Sequence, residues 1–372
     1  MRFTRALGAA AVGVLSLATV AGQGGPGQGQ EMSETVFKNV QVLKGIPADE
    51  FMDAMGMFSA SLGYDCVSCH SPEIYNSRDG FAVSTPTIQR ARGMIGMVSA
   101  INRSYFDGQP RVSCFTCHHG QDRPEFVPNL ALQYGELVDD PNSIRIVPDR
   151  QPVDQVFEKY LQALGGRQRL AAVTSFTARG TYEGSNTGAG SQFPIQIFVK
   201  APNQRAQIIR VPDGENFKTY DGRSAWVAER WRPLPLMSLT GGNLDGARLE
   251  AIAWFPASIQ QAFTEWQSSN TRIDNRAVQI LQGSNAGSPP VNFYFDPSGL
   301  LVRIVRWNRT AVGAVPTEID YADYREVSGI KIPFRTVVTW TDGKDTILLN
   351  DVAANVAIDA ARFARPAPFK RL

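Results

Sequence analysis

The chain is poor in the side chains that carry most metal and nucleophilic chemistry. Its 372 residues include four cysteines and three histidines. Residues 153–372 contain neither type. That excludes thiol and imidazole catalysis over this stretch and leaves carboxylates, Lys, Ser or Tyr, among which no spacing singles out a candidate. Net charge is only +2, so the electrostatic footprint of a nucleic-acid-binding protein is missing. Beyond residue 22 no apolar run approaches the roughly 20 residues of a membrane-spanning helix. The mature chain is therefore expected to have no transmembrane span. No cysteine lies near the small residues at the end of the N-terminal apolar run, which excludes a bacterial lipid anchor there.

The chain does open with a targeting pattern. Arg2 and Arg5 precede a short apolar run, Leu7 to Val20, and Thr19, Ala21 and Gly22 follow as small residues. This predicts a secretory signal peptide over 1–22, cleaved after Ala21 or Gly22; an uncleaved anchor is the alternative. Residues 23–35 begin with a Gly/Gln-rich stretch and read as a flexible leader. All cysteines and histidines fall within 36–130. Residues 131–152 are broken by Asp139, Asp140, Pro141, Pro148 and Pro152 and read as a linker. Residues 153–372 hold all six tryptophans. The asymmetry predicts two domains with different tasks.

Every cysteine lies in one of two Cys-x-x-Cys-His runs: Cys66, Cys69 and His70, then Cys114, Cys117 and His118. This spacing attaches c-type haem, the two thiols adding to the haem vinyl groups and the histidine becoming the proximal iron ligand. Two Cys-x-x-Cys pairs also suit a zinc site, two disulfides or a redox-active dithiol, but none of these accounts for a histidine directly after both pairs. The reading is two c-type haems, attached outside the cytoplasm, which agrees with export. His119 alone stands outside the pattern. It reads as a surface residue or a haem-propionate neighbour, with axial ligation of the opposite haem as the alternative.

Each motif follows a helical stretch bearing methionine. Pro47 starts the first, with Asp49 and Glu50 in its first turn, and Gly63 ends it. Phe51, Met55, Phe58 and Leu62 share one face. Pro86, with Thr85 as N-cap, starts the second, which runs to about Asn102. The unit is helix, loop, haem motif, used twice. A helix lying across a porphyrin can present a sixth ligand, and methionine thioether is the available donor. Met52, Met55 and Met57 compete for the first haem, Met94 and Met97 for the second. Met/His ligation closes both axial positions and suits one-electron transfer.

The stretch Val40-Gln41-Val42-Leu43-Lys44-Gly45, Glu50-Phe51, Cys66 to His70, Arg92, Met94-Ile95-Gly96-Met97 and Cys114 to Gly120 resembles the photosynthetic reaction-centre cytochrome c subunit family. The resemblance covers about residues 36–125, one dihaem half of a four-haem pattern. It implies Met55 and Met94 as distal ligands, leaving Met97 to packing. It also implies a membrane reaction centre or another cytochrome as redox partner. The chain departs from the family in having only two motifs, in placing His119 where Arg is usual, and in lacking a loop histidine for a distant haem.

In the C-terminal part, Val153, Val156, Phe157, Tyr160, Leu161 and Leu164 predict an amphipathic helix ended by Gly165-Gly166. Strands are expected at 176–182, 192–199, 206–211, 225–229, 291–295, 301–308, 335–340 and 346–349, with turns such as Asp221-Gly222, Pro297-Ser298-Gly299 and Asp342-Gly343. A helical break is expected at 249–263. Tyr220-Asp221-Gly222, Tyr294 to Leu300, and Asp320-Tyr321 through Gly329 to Pro333 resemble the periplasmic lipoprotein-carrier (LolA-like) family. That resemblance implies a half-barrel with a helix in its concave face and an apolar cavity for a hydrophobic ligand; a docking or purely structural role is the alternative.

The combined expectation is an α+β protein of two domains, a helical dihaem module at 36–130 and an antiparallel half-barrel at 153–372. Its function is periplasmic electron transfer, without a catalytic site. The rivals are a haem enzyme with one open iron and a hydrophobic-ligand carrier.

Overall fold

The computed structural model describes residues 30–124, 127, 151–184, 190–230 and 232–369. The expected signal peptide, most of the leader, nearly all of the linker and Trp231 lie outside the described residues. The architecture is the α+β arrangement expected: a helical segment followed by a large antiparallel sheet.

The helical segment contains α1 (Ser33–Val36), α2 (Ala48–Leu62), α3 (Cys66–Cys69), α4 (Pro86–Tyr105) and α5 (Cys114–His118). Helix α2 starts after Pro47 and stops at Gly63, whose φ of 67° lets its N–H close onto Ser59 O. That left-handed conformation favours glycine. Gly63 also abuts the second motif: an added Cβ would lie 2.5 Å from Gly120 O, and the Gly120 N–H donates to Ser61 O at 2.9 Å. The Thr85 hydroxyl caps α4 by accepting from the Ile88 N–H at 3.2 Å and donates to Cys69 O at 2.6 Å. Near the other end of α4, buried Asn102 donates to Val112 O at 2.7 Å and accepts from the Val112 N–H at 2.9 Å. So α4 holds the exit of one motif and the entrance of the other.

Among the described residues the sheet has 13 strands, β1 (Ser175–Gly184), β2 (Phe193–Lys200), β3 (Gln204–Val211), β4 (Gly214–Tyr220), β5 (Ala225–Ala228), β6 (Met237–Leu239), β7 (Glu265–Ile273), β8 (Arg276–Ser284), β9 (Val291–Phe295), β10 (Leu301–Thr310), β11 (Gly313–Val327), β12 (Ile330–Trp340) and β13 (Gly343–Ala354), in the order β6-β5-β4-β3-β2-β1-β13-β12-β11-β10-β9-β8-β7. The chain meanders outward from β1 (Ser175–Gly184) to β6 (Met237–Leu239), restarts at the far edge with β7 (Glu265–Ile273), and returns to β13 (Gly343–Ala354), which pairs with β1. Apart from β6 and β7, at opposite edges, strands that are neighbours in sequence are neighbours in space, the arrangement that tight turns favour. Helix α6 (Val153–Ala163) and, after α7 (Arg167–Ala171), helix α8 (Gly241–Ile252) pack on one face. Val156, Phe157, Tyr160 and Leu161 of α6 share one core with Ile209 on β3 (Gln204–Val211) and Leu281 on β8 (Arg276–Ser284). The sheet is thus wrapped around α6, a half-barrel with a helix in its concavity.

Helix α2 is seated on this sheet. Ala54 and Met57 pack against Val312 and Val315, at the hairpin joining β10 (Leu301–Thr310) to β11 (Gly313–Val327). Buried Asp49 accepts from the Thr240 N–H at 2.6 Å and the Thr240 hydroxyl at 2.8 Å. Asp53 accepts from Asn243 Nδ2 at 2.8 Å and from Asn308 Nδ2, and Glu50 from the Ala311 N–H at 3.0 Å. Burial pushes all three carboxyls above the usual carboxylate range, and these bonds offset part of that cost. The buried face of α2 is therefore mostly small and acidic, with Met57 its large apolar contact. The apolar stripe of Phe51, Met55, Phe58 and Leu62 is left half-buried.

Candidate functional site

Each Cys-x-x-Cys-His run folds as one short helical turn. In the first, Asp65 caps α3, accepting from the Ser68 N–H at 2.9 Å. In the second, Ser113 and Thr116 form a reciprocal capping box around α5. His70 Nδ1 lies 3.1 Å from Phe81 O, and His118 Nδ1 lies 3.0 Å from Gln121 O. In both, a backbone carbonyl takes the Nδ1 proton. That fixes the tautomer with Nε2 as the lone-pair nitrogen, the arrangement a metal-ligating imidazole needs. Burial lowers the His70 pKa, which keeps it neutral and able to ligate. Phe81 also packs edge-on to the His70 ring at 5.2 Å.

The competing readings of the cysteines fit less well. None of the four is disulfide-bonded. Among the described residues no group of three or more His, Cys, Asp or Glu side chains converges as a metal cage, so the two pairs do not form a shared zinc site. Burial pushes the Cys66, Cys69 and Cys114 thiols up, opposite to the thiolate stabilisation of a redox-active dithiol.

The segment also fits haem through what it lacks. Only Ala48, Ala54, Met57 and Val98 are fully buried hydrophobic residues between 30 and 124. Tyr75, Val83, Met97, Tyr105, Phe106 and Phe115 are exposed. Apolar groups left open on this scale mark a surface meant to be covered, as a bound porphyrin would cover it.

The methionines separate by environment. Met52 lines a cavity under α2, and Met57 is 6% exposed in the contact with the sheet. Met55 belongs to the half-buried stripe. On α4, Met94 is half-buried, while Met97 is 44% exposed, so Met97 is not packed within the chain. His119 sits at the left-handed end of α5 with φ 49° and is exposed, its ring edge-on to Phe115 at 5.5 Å.

The cavity, about 260 Å³, is bounded by Asp49, Met52, Asp53 and Gly56 of α2 and by the inner face of the sheet. It departs from the apolar cavity expected. Leu164, Ile197, Ile319 and Leu349 supply apolar wall, but Arg205, Lys218 and Glu250 line it too. Glu250 is 3.3 Å from Arg205 and 2.6 Å from Lys218. Burial works against its charge, but these two cations hold its pKa at about 2. Asp345 is the opposite case. Burial pushes it up to about 6, although the Tyr182 hydroxyl donates to it at 2.6 Å.

A folded-state pKa of about 6 against an ordinary 3.8 has a fixed sign. The Asp345 contribution to stability is full below the unfolded value and is lost as pH rises through the folded one. Thermal unfolding should therefore shift upward as pH falls from about 7 to about 5, a window above the range in which Glu250 titrates. Asp345→Asn should flatten that slope; an unchanged slope in the variant contradicts the assignment.

Residues 17–133 match the model of the photosynthetic reaction centre cytochrome C subunit family, and residues 240–348 match a family of unknown function, DUF6544. A photosynthetic reaction center cytochrome c subunit from Roseobacter denitrificans is 30% identical over 107 residues, 27% of this chain and 28% of that protein. The chain thus spans little more than a quarter of that relative. Among solved structures, a LolA superfamily protein from Nitrosomonas europaea is 13% identical with a TM-score of 0.38, covering 57% of this chain and 96% of that one. A DUF1329 family protein from Desulfovibrio piger is 12% identical with a TM-score of 0.39, covering 57% and 97%. The resemblance read from Glu50-Phe51, the Met94 to Met97 stretch and the two Cys-x-x-Cys-His runs is borne out: this segment is similar to the photosynthetic reaction-centre cytochrome c subunit family.

Proposed function

We propose that the chain is an exported dihaem c-type cytochrome that exchanges single electrons with a redox partner protein in the periplasm, a membrane reaction centre being the partner its matched family suggests. The observation that carries this reading is the paired histidine geometry: both imidazoles give Nδ1 to a backbone carbonyl, at 3.1 and 3.0 Å, directly after a Cys-x-x-Cys pair. Cys66 and Cys69 would hold one haem and Cys114 and Cys117 the other, with His70 and His118 as proximal ligands. When bound, each haem supplies a reversible one-electron couple, whose potential depends on axial ligands, burial and nearby charge. The chain's own residues orient the imidazoles through Phe81 O and Gln121 O, and the α2 stripe and α4 would cover the haems and supply their distal ligands.

Met55 and Met94 are the distal ligands in this account. The engagement of Met52 with the cavity and Met57 with the sheet supports the first, and the second rests on the family resemblance of the Met94 to Met97 stretch. Met55→Ala and Met94→Ala should each convert one of the two haems to a high-spin, lower-potential form and halve the low-spin signal. Wild-type ferric spectra and potentials in both variants would overturn the distal assignment. A second reading, a hydrophobic-ligand carrier, draws on the cavity; the ion pairs in its wall weigh against a wholly apolar ligand.

A further inference from the structure

The cavity under α2 has a polar side that electron transfer leaves unused. Its wall carries charges of both signs, and most are already matched. Asp49 and Asp53 accept from Thr240, Asn243 and Asn308. Glu229 pairs with Arg232 at 2.7 Å, and the Tyr182 hydroxyl donates to Asp345. Lys331 and Asp342 are exposed. One corner is left with an excess of positive charge. Arg205 on β3 and Lys218 on β4 share the Glu250 carboxylate of α8, at 3.3 and 2.6 Å. Arg306 on β10 joins them. Its guanidinium lies against Gly246, one turn before Glu250, where an added Cβ would be 2.7 Å from Arg306 Nε. Its charge acts on Glu250 and, more weakly, on Asp53 and Asp245.

Two donors in this corner are unused. Arg205, 8% exposed, gives its Nη atoms to Glu250 and Gln207, and its Nε is buried with no acceptor among the described residues. Arg306 gives Nη1 to Gly242 O at a long 3.4 Å, and its Nε is likewise buried without an acceptor. Strand alternation turns both side chains inward: Arg205 shares a face of β3 with Ile209, and Arg306 shares a face of β10 with Asn308, and all four line the cavity. A buried N–H without an acceptor costs free energy that a ligand oxygen recovers. The remaining wall is apolar, with Leu164, Ile197, Trp254, Ile319 and Leu349. At about 260 Å³, the space falls below the roughly 300–1,000 Å³ of pockets for drug-sized ligands, so its occupant is small.

We propose that this cavity binds a small organic anion, a carboxylate on a short apolar body, with the carboxylate oxygens on Arg205 and Arg306 and the body against the apolar wall. A bound monoanion sets two negative charges against the three cations of the corner, nearer to the pairing that desolvated charges require. A guanidinium suits a carboxylate better than an ammonium does, because its donors are fixed in a planar fork. Such a site is independent of haem. It differs from a hydrophobic-ligand carrier in requiring the negative charge and in limiting the length of the apolar body.

The test is isothermal titration calorimetry of the full-length protein, as purified, with octanoate, octanol, acetate and palmitate as probes. Octanoate should bind saturably at one site per chain. Octanol keeps the body without the charge and should bind about tenfold more weakly or worse, since a hydrogen bond to a charged group is lost. Acetate keeps the charge without the body and should also bind at least about tenfold more weakly. Palmitate should bind no more tightly than octanoate, because a cavity of this size does not take the longer chain. Arg306→Gln should weaken octanoate about tenfold and leave octanol unchanged. The comparison of probes uses the wild-type chain alone, so it decides even where the variant fails to fold. Octanol binding as tightly as octanoate, or palmitate binding more tightly, overturns the anion site in favour of a lipid carrier. No saturable binding of octanoate, or a folded Arg306→Gln that binds octanoate as the wild type does, overturns it outright.

Discussion

Produced without haem attachment, the full-length chain should keep its sheet and lose the fixed fold of residues 31–124. The reason is the distribution of core. The sheet surrounds Phe157, Phe176, Phe293, Phe295, Ile304 and Ile319, each under 2% exposed or close to it. The helical segment buries four hydrophobic residues, and two of them, Ala54 and Met57, are buried against the sheet. Ordering a residue costs about 1–2 kcal/mol of backbone entropy, and four small contacts do not offset that over a segment of this length. Amide hydrogen exchange on chain made without haem should show the strands protected and residues 31–124 exchanging orders of magnitude faster. The Asp49 and Asp53 anchor should be the last part of α2 to open. Equal protection of both parts in haem-free chain contradicts the idea that haem supplies the missing core.

Glu250→Ala, on helix α8, should be among the most destabilising single changes in the C-terminal part of the chain. The carboxylate is 11% exposed and is shared by Arg205, itself 9% exposed, and Lys218. Removing one partner of a buried ion pair leaves the other charges desolvated without compensation, at a cost of about 3–5 kcal/mol. Arg205 keeps only its bond to Gln207 Oε1, at 2.8 Å. Glu250→Gln retains an acceptor and should lose less. Urea unfolding followed through the tryptophans measures both. A loss below about 1 kcal/mol for Glu250→Ala, the usual range for exposed pairs, would show that the network is solvated.

The parts of the fold legible in the sequence were those written in local chemistry. Pro47 and Gly63 bracket α2, and Thr85 and Pro86 open α4, because caps act within one turn. Asp221-Gly222 and Asp342-Gly343 mark hairpins for the same reason. Strand β7 escaped notice because Gln267, Ser268, Ser269 and Asn270 hide the alternation that marks a half-buried strand. The seat of α2 was beyond reach for another reason. Asp49 and Glu50 read as ordinary first-turn acids, but Asp49 and Asp53 are anchors whose partners, Thr240, Asn243 and Asn308, lie on remote elements. No periodicity reports such a pairing. The stripe of Phe51, Met55, Phe58 and Leu62 was visible as a pattern, but not that the opposite, acidic face meets the sheet. Likewise, Arg205, Lys218 and Glu250 come from two strands and a helix, and only the folded chain shows that the cavity wall is charged.

The central claim is two closed, covalently held haems. The most direct measurement is a redox titration of the purified, exported protein, with ferric and ferrous spectra recorded with and without carbon monoxide after denaturing conditions have shown that the haem stays with the chain. The account predicts haem on both Cys-x-x-Cys-His motifs, two low-spin one-electron couples of fairly high potential, and ferrous spectra that carbon monoxide leaves unchanged. A protein with no covalent haem, or one whose ferrous iron binds carbon monoxide readily, would contradict it, the second outcome pointing to an enzyme with an open iron.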